Sequence, residues 1–134
     1  LTGLHMRISS QSIVANLMFG VDAVSWSTHD RSTHGLLIGE VVATIGLLVV
    51  IFGVVRSGRS SAAPFAVGAY IGAAYFFTSS TSFANPAVTA ARMLSDTFAG
   101  IAPGSVPAFV LMQLIGGALG AALLLVLHSA PREA

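Results

Sequence analysis

The stretch Thr78–Phe98, TSSTSFANPAVTAARMLSDTF, places a polar, broken, arginine-bearing segment inside an apolar chain, and its reading decides the fold. Asn85 is a favoured helix N-cap and Pro86 a favoured first helical residue, so a helix is predicted from Pro86 to about Ser95. At ~1.5 Å per residue it covers about 15 Å, half of a ~30 Å hydrocarbon core. The preceding SSTSFA (79–84) supplies non-helical backbone, which membrane depth tolerates only inside protein or along a wet cavity. Such a half-helix aims its positive N-terminal end at the bilayer midplane. If the Asn85 side-chain oxygen caps the first turn, its NH₂ group is left as a fixed donor. That donor would grip a neutral hydroxylated solute and repel cations. The plainer alternative is an ordinary capped helix after a loop.

Composition supports a membrane setting. The chain has 134 residues and only 8% are charged, against about a quarter in soluble domains. Its Gly- and Ala-rich apolar mixture is that of transmembrane helices. A near-neutral charge gives no reason to expect nucleic acid as a partner, and the absence of cysteine removes disulfides, thiolate metal sites and thiol nucleophiles. No signal peptide is visible in residues 1–10, and Leu1 at the start fits either excision from a longer chain or an unusual start codon.

Three full spans are predicted, at about 35–55, 64–78 and 106–127, with residues 11–24 as the tail of a fourth. The chain divides into an N-terminal remnant with an outer loop (1–34) and a repeat (35–134). Arg56, Arg59 and Arg132 place the 56–61 loop and the C-terminus on the cytoplasmic side; Arg31, opposite, is balanced by Asp30. For the last two spans to fit, residues 79–105 must enter and leave from outside as a re-entrant element. Each full span carries Gly-x-x-x-Gly (Gly35/Gly39, Gly68/Gly72, Gly116/Gly120), which is read as close packing within a bundle.

SFANPAVTAAR (82–92), between a span ending in hydroxyl residues and one rich in Gly and Ala, resembles the second Asn-Pro-Ala loop of the aquaporin (major intrinsic protein) family. The resemblance covers about residues 36–127 and includes the acid two spans before the motif, Glu40. It implies an all-α integral membrane protein built as part of a right-handed aquaporin-like bundle, multi-pass in the cell membrane. The implied whole is six spans and two half-helices in inverted repeats, assembled as a homo-oligomer (a tetramer). By the resemblance Asn85 is the solute-facing donor, Pro86 and Ala87 cap and pack the half-helix, and Glu40 hydrogen-bonds the re-entrant backbone. A helix-end acid near the interface is the other reading of Glu40.

Water-selective members place arginine directly after Asn-Pro-Ala; here Val88 stands there and Arg92 lies one turn on, where pairing with Asp96 is the structural alternative. Ala73, twelve residues before Asn85, stands where those members tend to have histidine, and Ser82 is the remaining loop position. Ala73, Ser82 and Val88 describe a wide, weakly charged filter, resembling members that pass glycerol-like polyols or metalloid hydroxides such as arsenite. The family's first half is missing, so a truncated channel is expected, ahead of a half-channel pairing with another chain or a non-functional remnant. The contrasting hypothesis is a non-conducting structural or accessory membrane protein. HDRSTH (29–34) matches no metal-site template and is read as a solvated loop, with His5 and His128 isolated near the ends and Trp26 and Tyr75 as interfacial aromatics. No nucleophile–base arrangement appears, so neither an enzyme nor a cofactor is expected.

Overall fold

In the computed structural model the apolar run with one acid forms α2, His34–Arg56, and the Gly-rich run forms α5, Val106–Ser129. The structure describes residue 10 and residues 12–129; His5, Arg132 and most of the expected N- and C-terminal tails lie outside them. Within those bounds α1 is helical at 12–18, α3 is Ala63–Phe77 and α4 is Pro86–Arg92, with single 3₁₀ turns at Ser60–Ala62 and Pro103–Ser105. No strand occurs among the described residues.

Two segments, His34–Arg56 and Pro103–His128, are long and apolar enough to cross a bilayer. The middle expected span is the shorter α3, 15 residues or about 22 Å of helix. The RSGRSS loop ends α2 by backbone chemistry. Gly58 takes φ +74°, its N–H donates to the Val55 carbonyl, and the Arg59 N–H reaches back to Val54. These are the paired bonds of a Schellman cap, which needs a residue free of the left-handed penalty.

Helix α2 packs most extensively on α5, then on α3. Glycine makes the first contact possible: a Cβ on Gly116 would lie 2.8 Å from the Val41 carbonyl oxygen, and one on Gly120 would lie 2.9 Å from Leu48. Gly39 instead admits the re-entrant segment, where Ser79 and Ser80 come within 3.2 Å of its Cβ position. Gly68 and Gly72 meet nothing within 4 Å, so the third small-residue pair packs on no described part of this chain.

Polarity is distributed inside out. Buried side chains include Arg31, Glu40, Asn16, Thr89 and Gln113, whereas Phe76 is 94% and Phe65 81% exposed. Water would penalise that arrangement and lipid favours it. A small apolar core of Phe83, Ile101 and Phe109 sits beneath the re-entrant segment, with the two phenyl rings edge to face at 5.3 Å.

Candidate functional site

Asn85 begins α4 in the manner its sequence predicts. Its Oδ1 accepts from the Ala87 N–H at 2.8 Å and the Val88 N–H at 3.4 Å, and its Nδ2 has no partner among the described residues. Pro86 occupies the first turn, where no donor is missed. Before it the chain cannot run as helix or strand: Thr81, Ser82 and Ala84 all have positive φ, at 62°, 50° and 47°. Left-handed non-glycine residues persist only where their surroundings hold them.

Glu40 does much of that holding. Fully buried on α2, it accepts from the Phe83 N–H at Oε1 and the Ala84 N–H at Oε2, both at 2.9 Å. Gln113 on α5 donates from Nε2 to Glu40 Oε2 at 2.7 Å and to Thr89 Oγ1 at 2.8 Å. The Thr89 hydroxyl in turn donates to the Asn85 carbonyl at 3.0 Å. One polar chain thus ties α2, the break, α4 and α5 together. Ser79 adds a bond to the Gly35 carbonyl, and the Thr78 and Ser82 hydroxyls pair at 2.7 Å.

Within the HDRSTH loop five residues are exposed, as expected, and Arg31 is buried. Arg31 is 2% exposed and donates to three carbonyls: Gly100 from Nε, Ser80 from Nη1 and Phe98 from Nη2. Burial, and then the Arg92 guanidinium, lower its pKa from the usual arginine value. The neighbouring Asp30 carboxylate accepts from Ser32 and from the Ser105 hydroxyl. His29 and His34 are exposed, and the described residues hold no cluster of metal-ligating side chains.

Arg92 does not pair with Asp96. Its Nη2 donates to the Tyr75 hydroxyl at 3.0 Å, its guanidinium lies 4.2 Å from the Phe83 ring centroid, and Nη1 is buried without a partner. Asp96 accepts from the Thr28 N–H and hydroxyl instead. Helix α4 also stops at Arg92, short of Ser95. Tertiary donors take its last carbonyls: the Ser27 N–H bonds Met93, and the Ser25 N–H and Asn16 Nδ2 bond Leu94.

Val88 and Arg92 line a cavity of about 700 Å³ between residues 12–19 and α4, together with Asn16, Ala91, Ser95 and Phe98. The other expected filter positions lie elsewhere. Ala73 is exposed on α3, and Ser82 is 2% exposed with its hydroxyl turned to Thr78.

The described part of the chain is therefore a helical unit with a lipid-suited surface, a strained central break and a half-length helix capped by asparagine. A bacterial protein, the aquaglyceroporin AqpS of Rhizobium meliloti (strain 1021), is 44% identical over 111 residues, 83% of this chain and 47% of that protein. The chain belongs to the aquaporin (major intrinsic protein) family. It spans about half the length of the curated relative it matches. No family model matches it, and no solved structure does.

Four residues central to the site escaped the sequence reading: Asn16, Arg31, Thr89 and Gln113. Gln113 carried a usable signal, as a lone amide within the apolar run 106–127. Thr89 carried a weaker one, four residues after the cap. Asn16 and Arg31 carried none, because their partners lie 78 and 69 positions away.

Proposed function

We propose that this chain forms part of a passive, multi-pass channel in the cell membrane for small uncharged solutes: water, glycerol-like polyols or metalloid hydroxides such as arsenite. The observation that carries the reading is Asn85. Its oxygen is occupied by the first turn of α4 and its NH₂ is unpartnered, at the tip of a half-helix held by Glu40. A preorganised donor at a positive helix end suits a solute hydroxyl or water and disfavours cations. The relative's name, aquaglyceroporin, points to the same solute class. Val88, Ala73 and Ser82 belong to the proposal as a wide filter of low charge, and Pro86 and Ala87 as its packing. Assembly as a homo-oligomer, or with another chain that supplies the family's other half, is part of the same proposal.

The test is stopped-flow light scattering on liposomes containing the chain. Glycerol and water should equilibrate faster than in empty liposomes, and Asn85→Leu should slow both while membrane insertion is retained. Above-background flux that Asn85→Leu leaves unchanged would refute the reading, and no flux from correctly inserted chain, alone or together with a chain supplying the family's other half, would leave a non-conducting membrane protein.

A further inference from the structure

Helices α2 and α5 finish at the same end of the molecule, and each turns from apolar to polar there along one stripe. On α2 the stripe runs Leu48, Phe52, Arg56; on α5 it runs Ala121, Leu124, His128. Residues three and four apart share a helix face. The two stripes together line one groove of about 440 Å³. Gly120 lets Leu48 come close against α5, where a Cβ would lie 2.9 Å from it, and the short Ala121 leaves the groove unfilled.

The polar groups gather around Phe52. The Arg56 guanidinium lies over its ring, 5.6 Å from the centroid, and the His128 ring meets it edge to face at 5.0 Å. One phenyl ring thus holds both groups beside the apolar groove. His128 donates from Nδ1 to the Leu124 carbonyl, and its Nε2 has no partner among the described residues. The Arg56 guanidinium makes no hydrogen bond among them either. The described carboxylates belong elsewhere: Asp30 and Asp96 to the outer loop, Asp22 to the segment before it, and Glu40 about 24 Å earlier along α2. A helix C-terminus is negative and by itself disfavours an anion. Here that charge is covered. The Ser57, Gly58 and Arg59 N–H groups take the carbonyls of Gly53, Val55 and Val54, and His128 takes that of Leu124.

Charge and shape together select the occupant. A free anion would meet Arg56 and leave the groove empty, whereas an alkyl chain would fill the groove and ignore Arg56. A molecule with an apolar length and an anionic head matches both. In a bilayer that molecule is an anionic phospholipid, whose phosphate lies where a helix-end arginine places its charge. We infer that this groove holds one anionic phospholipid, its phosphate on Arg56 and His128 and an acyl chain along Leu48, Phe52 and Leu124. The site shares no residue with the proposed pore and does not depend on conduction.

Titration of the full chain in detergent micelles with phosphatidylglycerol or phosphatidylcholine, read by native mass spectrometry, tests the inference. Phosphatidylglycerol should be retained at one per chain, about tenfold or more tightly than phosphatidylcholine, the scale of one charge-assisted hydrogen bond. Arg56→Gln should weaken that retention by a similar factor. Arg59→Gln removes the same charge three residues on and should change it less than about twofold, as expected of an exposed charge outside the site. Ala121→Phe fills the groove with every charge in place and should weaken retention as much as Arg56→Gln. All three positions are exposed, so each variant should keep the wild-type circular dichroism. Equal retention of the two lipids, or undiminished retention in Ala121→Phe, would overturn the inference. Equal losses in Arg56→Gln and Arg59→Gln would overturn it too, since they would mean only a general attraction of basic residues to anionic lipid. Because the readout is binding, its failure is distinguishable from a failure of solute flux.

Discussion

Glu40 shows what a single side chain decides in this molecule. Its two oxygens receive three donors, two of them backbone N–H groups of residues beside the break. Glutamine at 40 would offer one accepting oxygen and an NH₂ that must face a donor in either orientation. Gln113 has an unpartnered Oε1 and could turn to meet the new NH₂, but a backbone amide has no such freedom. Either the Phe83 or the Ala84 N–H is then orphaned, at a cost of about 1–3 kcal/mol for a buried unsatisfied group. Glu40→Gln should therefore lower stability by about 2 kcal/mol in detergent unfolding followed by circular dichroism. An unaltered midpoint would mean that the break holds itself. Sequence reading reached the partners of Glu40 on the loop only through resemblance. It missed Gln113, whose contacts span 73 and 24 positions and leave no local periodicity.

Among the elements, the three Gly-x-x-x-Gly pairs look alike in sequence and differ entirely in place. Gly116 sits where a Cβ would press on the Val41 carbonyl and on Thr44, 2.9 Å away, so Gly116→Ala must push α2 and α5 apart. Overpacking of that kind costs about 1–3 kcal/mol. Gly72→Ala enters open space on α3 and should be neutral or stabilising by up to about 1 kcal/mol, from helix propensity alone. Thermal unfolding of the two variants in one detergent checks both; equal losses would contradict the packing described. Helix α4 teaches a related lesson. Its start was legible because capping is local, in the Asn85–Pro86 pair. Its end was not, because donors on Ser25, Ser27 and Asn16 claim the carbonyls beyond Arg92.

At the scale of the whole molecule, the outer loop closes over the segment that follows α4. The Ala102 N–H bonds the His29 carbonyl, Thr28 bonds Asp96, and Arg31 threads between Ser80, Phe98 and Gly100. Asp30 fixes one end of this closure: hydrogen bonds from the Ser32 side chain first, then the Ser105 hydroxyl and the Ser32 N–H, hold its pKa below the usual carboxylate value. A depressed carboxylate stabilises the fold fully above its unfolded pKa and loses that contribution as pH falls through the folded value. The closure should hold at neutral pH and loosen below about pH 4. Hydrogen exchange at Ser32 and Arg31 should then rise, and Asp30→Asn should abolish that dependence on pH. Exchange in the wild type that ignores pH across this range would remove Asp30 from the closure.

The sequence by itself determined the lipid-suited composition, the two long apolar helices, the break at Asn85–Pro86 and the cap that leaves the asparagine NH₂ unpartnered. Those properties depend on residues within a few positions of one another, where helix geometry and solvent preference act directly. Only the tertiary structure decided that Arg31 is buried, that Arg92 faces a cavity and not Asp96, and that one glycine pair of three joins two helices. These outcomes rest on which distant carbonyl, ring or backbone lies nearest. That is settled when α2, α4 and α5 pack, because a buried donor takes whatever acceptor the packing brings within reach.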